Sequence, residues 1–412
     1  MKKKIIGIFV CILLIATGVV PISSTISQSV GKESSTVEIP DSHIIENIPY
    51  VCQGDTFYCI YASLAMIFQY YGLNTSLFEV CFNSGVGYSL GYRIKNPCHS
   101  IFSSLMSQEA KDRQFLADIY GLNYSYWHVN DDWQLYWTSV KENISKDIPV
   151  TTEVWIQELP YYEEDTAWGA HTIVLSGYNE TNNTVCVHDS DATIFNTSMR
   201  SGAYIYIPID FLKNALIVSS DKKYLFETFV DTIEKPLPKK EAFELAHSRN
   251  IQRMKGDATY YDEEFIRYNM GGTRGLITIF GLHALKWLKH SYNIRNILMF
   301  SIMDRITGSY YLLSESDNCW FMYWEKLDMF DYLYEHLDFF PNLDNAFYYV
   351  YMLNIDAACW GALCYKISKL TEIPIFRIPL LISVVPEIRA ILDDIISIEK
   401  DIIAGPHSIV AS

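Results

Sequence analysis

The sequence predicts an α+β domain followed by an all-α region, and three observations carry that prediction. Helical periodicity comes first, between residues 59 and 146. Strand alternation comes next, from Pro149 to Pro208. Helical period then returns from Tyr260 to Ile403, broken at Gly271-Gly272, Gly308, Pro341 and Pro374. Helices first and an antiparallel sheet afterwards is the α+β order. A chain of 412 residues is long enough for two cores. Half of it is apolar and only 19% is charged, which excludes a disordered chain. The net charge of −16 argues against a nucleic-acid partner, which calls for a basic face.

The chain opens with Lys2, Lys3 and Lys4, then an uncharged apolar run from Ile5 to Ile22 and a Ser/Thr-rich stretch to Thr36. This pattern reads as a secretory signal over 1–27 and a polar spacer over 28–42. The run is just long enough to be retained as an N-terminal anchor instead. The expected location is therefore secreted or cell-surface, with no membrane span after signal removal. Cys11 lies inside the run. The other eight cysteines (52, 59, 81, 98, 186, 319, 359 and 364) form no C-x-x-C motif, so neither a zinc site nor a dense disulfide scaffold is indicated. Six sequons, at Asn74, Asn123, Asn143, Asn179, Asn182 and Asn196, all fall before residue 200.

The first domain is expected over 43–225. Near Ile44–Val51 a short strand is expected, and Cys59 to Tyr71 is expected as a helix. Its residues Ile60, Leu64, Ile67 and Phe68 recur at helical spacing, and Gly72 supplies the left-handed stop. Leu77 to Tyr92 is glycine-rich and expected as loop. Residues 100–121 and 132–146 are expected as helices. Pro149–Trp155 and Ala170–Tyr178 read as strands, joined by an acidic loop from Leu159 to Gly169. Asn179 to Asn183 is a turn, Thr184–Asp189 the returning strand of a hairpin, and Ala203–Pro208 a further strand. Residues 226–256, charged and containing Lys-Pro-Leu-Pro-Lys-Lys, are expected as an inter-domain linker with a short helix. A helical domain is expected over 257–405. Its tail from Phe376 carries Arg377, Glu387, Arg389, Asp393 and Asp394, so it reads as packing helices and not as a membrane span.

The chemistry-bearing residues cluster around Cys59. A cysteine at a helix N-terminus sits at the positive end of the macrodipole, where thiolate is favoured. Covalent catalysis by cysteine also needs an imidazole, a group that orients it, and donors for the oxyanion. His171 opens a strand far along the chain, and Asp189 ends the next strand. A hairpin can bring that carboxylate to the His171 Nδ1. Gln53 lies just upstream of the helix, where its amide can donate to the oxyanion beside the Cys59 backbone N–H. Glu180 and Asp191 are rival acids near the histidine. Gly87-Tyr-Ser-Leu-Gly91 matches G-x-S-x-G. No buried strand precedes it, and Pro97 interrupts the helix the motif requires after it, so it is set aside. His188 beside Asp189 has no ligand cluster at zinc spacing, and no metal or cofactor is expected. The aromatic stretches Tyr348–Tyr351 and Cys319–Trp324 read as core.

Gln-x5-Cys at a helix start, then Gly-x-His-Thr-Ile-Val-Leu-x-Gly-Tyr, then Val-x-Val-x-Asp, resembles the papain-type fold, and within it the bacteriocin-leader-peptidase-like group. The stretch Leu77 to Tyr92 is similar to the glycine-rich stretch in the N-terminal domain of butirosin-biosynthesis protein H. The helical half, with Gly271-Gly-Thr-Arg-Gly-Leu, loosely resembles the second domain of that family. The resemblance departs at Tyr58, where Asp or His is commoner, at Ile60, where Gly is favoured by the peptidases, and at Ala170. It implies a papain-like domain and acyl transfer through a Cys59 thioester, with His171 as base and then acid, Asp189 orienting it and Gln53 assisting. The substrate class is a peptide or an acylated small molecule. Export would separate the chain from a cytoplasmic carrier protein, which favours a peptidase or amidase. The alternatives are an acyltransferase of the butirosin-biosynthesis protein H type and a catalytically silent binding module.

Overall fold

The computed structural model describes residues 39–88, 90–95, 98–103, 110–129, 132–162, 169–196, 198–216, 224–232, 234–257, 277–293, 296–297, 311–340, 342–372 and 378–405. The expected signal segment over 1–27, most of the 28–42 spacer and the Gly271-Gly272 break lie outside them.

Helix α1 (Cys59–Tyr70) is buried at every residue from Ile60 to Phe68. A helix apolar on all sides has to be wrapped by the rest of the fold. α1 packs on strand β6 (Ala170–Asn179), where the Ser63 hydroxyl donates to the Thr172 carbonyl at 3.2 Å. Gly72, at φ +81°, ends the turn after α1.

β6 is central to a seven-stranded sheet. The other members are β1 (Ser42–Ile44), β4 (Leu122–Val129), β5 (Val150–Trp155), β7 (Thr184–His188), β8 (Ile205–Pro208) and β9 (Tyr224–Asp231). The strand order is β4-β9-β5-β6-β7-β8, with β1 also paired to β6. Every pairing is antiparallel. Burial along β6 is continuous from His171 to Tyr178. The expected hairpin is present as β6–β7, with a register irregularity between Leu175 and Gly177.

Several expectations change. The Leu77–Tyr92 stretch is not all loop. It holds helix α2 (Leu77–Ser84), capped by Ser76, whose hydroxyl accepts from the Glu79 N–H at 3.1 Å. Ser76-x-x-Glu79 is a capping signature legible in the sequence. Residues 100–121 divide into strand β3 (Cys98–Ser103) and helix α3 (Ala110–Tyr120). β3 pairs with β2 (Leu90–Lys95), and β2 with β10 (Ile277–Phe280), forming a second sheet. Helix α4 (Trp133–Ile144) is where it was expected, and the short helices α5 (Ala192–Phe195) and α6 (Ile209–Ala215) flank β8.

The stretch 226–256 is not a free linker. It contains most of β9 and helix α7 (Lys239–Lys255). Arg249 and Arg253, both buried, pair with the buried Asp112 of α3, and Asn250 donates to the Phe82 carbonyl of α2 at 2.9 Å. The remaining helices are α8 (Gly281–Ser291), α9 (Tyr311–Glu335), α10 (Leu343–Glu372) and α11 (Ile378–Ala404). They share a second core around Trp360, Leu363, Ile388 and Leu392. The first core is not confined to the sheet, since Met329 and Leu333 of α9 and Leu353 of α10 belong to it. Residues Ile39–Ser412 accordingly form one compact unit. Among the described residues, no helix is long and apolar enough to cross a membrane.

Candidate active site

Cys59 is the first residue of α1 and is half-buried, with a free thiol. The N–H groups of a first helical turn have no intrahelical acceptor. Ser, Thr, Asp or Asn before the helix would occupy one of them. Tyr58 stands there instead and makes no side-chain cap, and the first turn carries no acidic residue. The positive end of α1 is thus left open beside the sulfur.

His171 and Asp189 meet across the hairpin. His171 is the second residue of β6, and Asp189 directly succeeds β7. The His171 Nε2 lies 2.7 Å from the Asp189 Oδ1, and both side chains are buried. The expectation of an Nδ1 contact is corrected, because the ring is turned with Nε2 toward the carboxylate. The Cys59 sulfur lies close enough to the same imidazole to raise its proton affinity. With Nε2 taken by Asp189, Nδ1 is the nitrogen available to the sulfur. Burial opposes charge on His171, but the Asp189 carboxylate and the Cys59 sulfur outweigh it and raise the imidazole well above its ordinary range. Burial pushes Asp189 upward in turn, while His171 and the hydrogen bonds from Asp191 and Tyr161 hold it below the usual carboxylate value.

The environment of Asp189 was not legible beforehand. Its Oδ2 accepts from the Tyr161 hydroxyl at 2.8 Å and from the Tyr162 hydroxyl at 3.0 Å. Its Oδ1 also accepts the Asp191 backbone N–H at 2.9 Å. Burial, and then Asp189 itself, raise both tyrosines far above the ordinary phenol range, so they remain donors. These tyrosines sit in the loop that reads as merely acidic, and an adjacent Tyr-Tyr pair was the one signal there. The backbone of Asp189 is held too. Its N–H donates to the Gly202 carbonyl at 2.8 Å, and its carbonyl accepts the Tyr50 hydroxyl at 3.1 Å. Gly202 is required for this packing, since a Cβ there would come within 2.0 Å of the Asp189 carbonyl oxygen.

Gln53 is buried and not a surface residue. Its Oε1 accepts from the Ser190 hydroxyl at 2.9 Å, and its Nε2 donates to the Thr56 carbonyl at 2.7 Å. The two bonds fix which end of the amide is nitrogen and leave Nε2 a second N–H. Its backbone N–H also donates to the Ser190 carbonyl at 3.1 Å, joining the segment before α1 to the residue after Asp189.

The rival acids separate. Glu180 accepts from the Trp137 indole at 2.7 Å and pairs with Lys141 at 3.1 Å, away from the histidine. Asp191 stays close enough to His171 to feel its charge. Burial first, countered by His171 and reinforced by Asp189 and Asp55, pushes Asp191 up to about 7. His188 is fully buried, packs edge-on against Tyr204 with ring centroids 4.4 Å apart, and has no hydrogen-bond partner among the described residues. Burial lowers it to about 4. Among the described residues no group of three or more His, Cys, Asp or Glu could hold a metal ion. Ser89 of the G-x-S-x-G match lies outside the described residues.

The model of the Peptidase_C39 like family matches residues 45–206. The match supports a papain-like cysteine-peptidase type of fold and suggests a cysteine-peptidase-like function. It spans Gln53, Cys59, Tyr161, Tyr162, His171 and Asp189, and stops before β9 and the C-terminal helices. It does not reach the narrower likeness to butirosin-biosynthesis protein H. No curated protein matches the chain.

Proposed function

We propose that the protein is a cysteine peptidase or amidase working through a Cys59 thioester. The observation that carries this is the His171–Asp189 contact of 2.7 Å, with the Cys59 sulfur, at the uncapped start of α1, close enough to the same ring to raise its proton affinity. The Cys59 sulfur attacks the substrate carbonyl carbon, and its proton resides on His171. The tetrahedral oxyanion is met by N–H groups at the head of α1 and the second N–H of Gln53. Collapse breaks the C–N bond, and His171 delivers its proton to the departing amine. Water then attacks the thioester while His171 takes a proton from it, and the acid product leaves as the thiol is restored. Asp189 holds the ring and stabilises the imidazolium throughout. Acyl transfer of the butirosin-biosynthesis protein H type would share the Cys59 thioester and differ on both sides of it, with a carrier thioester whose C–S bond breaks as the donor and an amine in place of water as the acceptor. Export belongs to this reading and is supported by Lys2–Lys4, the apolar run and the polar spacer.

The test is active-site labelling of the intact chain with iodoacetamide, with peptide mapping of the modified site. Fast modification at Cys59, slowed by at least tenfold in His171→Ala, is the expected result. Labelling no faster than at the exposed Cys52 would remove the enzyme reading and leave the binding module.

A further inference from the structure

Helix α9 enters the site from more than 250 residues away in sequence. Four of its residues, Phe321, Glu325, Asp328 and Tyr332, recur at spacings of four, three and four, which places them on one helical face. Each touches the segment leading into Cys59, the next helix α2, or the turn that follows α2. The Phe321 ring meets Phe57 edge-on at 4.8 Å between centroids. Glu325 accepts the Gly87 backbone N–H at 3.0 Å. Asp328 Oδ2 accepts the Tyr58 hydroxyl at 2.6 Å. Tyr332 packs on Phe82 at 5.2 Å. The backbones approach closely as well, because a Cβ at Gly87 would lie 3.0 Å from the Glu325 carbonyl oxygen, and Gly87 has φ +78°. Phe57 and Tyr58 immediately precede Cys59, so the two residues leading into the thiol are both held by α9.

We propose that α9 positions the nucleophile, with Asp328 acting through the Tyr58 hydroxyl to fix the start of α1 and the direction of the Cys59 sulfur. The inference rests on the thioester reading above and extends it to the helical region. A residue before Cys59 must be anchored without filling the open N–H groups of the first turn. Ser or Asp there would anchor the turn by capping it. Tyrosine reaches outward and takes its anchor from α9, leaving the first turn open. Tyr58 is buried, so its hydroxyl needs a partner inside the protein, and Asp328 supplies one. Tyr58 and Asp328 are positioning residues in this scheme, since neither has to touch substrate.

The experiment measures the rate of Cys59 alkylation by iodoacetamide between pH 5 and 9 in the full chain. It compares wild type with Tyr58→Phe, Asp328→Ala and Asp328→Asn, with thermal unfolding as the check on fold. Ile367→Ala, a cavity in the second core, serves as a control of general destabilisation. Tyr58→Phe and Asp328→Ala are expected to slow labelling at least fivefold and to change the shape of the pH profile. Asp328→Asn keeps an acceptor oxygen and should label within twofold of wild type, as should Ile367→Ala. If wild-type Cys59 is reactive and Tyr58→Phe labels at an equal or higher rate, the positioning role is overturned and the thioester reading stands. A loss shared equally with Ile367→Ala would also overturn it, as general loosening. An inert Cys59 in the wild type overturns both. Should Asp328→Ala fail to fold, Tyr58→Phe, which removes one oxygen, decides alone.

Discussion

At the scale of single residues, the least replaceable feature is the crowd of donors around Asp189. The carboxylate is wholly buried and negative, so each donor to it offsets desolvation. Hydrogen bonds to charged groups are worth about 1.5–3 kcal/mol each. Tyr161→Phe with Tyr162→Phe is expected to lower stability by about 3 kcal/mol or more and to slow Cys59 alkylation, because Asp189 loses both partners of Oδ2. Denaturant unfolding and the labelling rate measure the two effects, and an unchanged midpoint would show that solvent replaces the phenols. The four candidates Gln53, Cys59, His171 and Asp189 were visible as candidates because each is a reactive or polar type at the edge of an element, in the order such chemistry requires. Tyr161 and Tyr162 were not, since tyrosine is abundant here, with 30 in the chain, and a donor to a buried acid leaves no periodic trace. Tyr58 read as a departure from the pattern the chain resembles, and its hydroxyl finds its partner in Asp328, far along the chain.

At the scale of elements, long-range pairing is what escaped the sequence. α1, β5, β6 and β7 were visible from local period and turn residues. β4 and β9 pair over their full lengths, from Leu122↔Asp231 to Val129↔Tyr224, across about a hundred residues. β10 reaches β2 from still further away. Propensity alone sees neither, because a strand is decided by the edge it finds. The helical region offers a sharper test of packing. Lys326 of α9 is buried between Asp356 of α10 at 2.6 Å and Glu399 of α11 at 3.1 Å, tying three helices at one point. Removing one partner of a buried ion cluster strands the others, at a cost of about 3–5 kcal/mol. Lys326→Met should destabilise by that amount at pH 8 and by less at pH 5, where the stranded acids take up protons. Equal losses at both pH values would mean that water reaches the carboxylates.

At the scale of the whole molecule, the two-domain expectation gives way to one unit whose first core runs from the sheet into α9 and α10. Its dependence on pH is set by the groups it buries. Asp191 and Glu399 are each pushed up to about 7: Asp191 by burial beside Asp189, Glu399 by burial beside Asp356 despite Lys326. An acid raised by folding binds its proton more tightly in the native state. Its contribution is present in full below the unfolded value of about 4 and is lost as pH rises through about 7. His171, raised by Asp189 and Cys59 against burial, acts with the same sign above its unfolded value of about 6.5. Asp189, held low by His171 against burial, contributes oppositely, but only below the ordinary carboxylate range. The net charge of −16 at pH 7 adds self-repulsion that also relaxes on acidification. Between pH 5 and pH 8 the raised acids and His171 share one direction, while His188, lowered by burial to about 4, opposes them below its unfolded value of about 6.5; the raised groups are the more numerous, so the thermal midpoint should be higher at pH 5. Lys326, raised by its two carboxylates against burial, has the same sign but acts only above the ordinary lysine range, outside this window. Calorimetry at the two pH values, in equal ionic strength, tests the sign. A higher midpoint at pH 8 would mean that Asp191, Glu399 and His171 do not hold their protons strongly enough in the native state to outweigh His188.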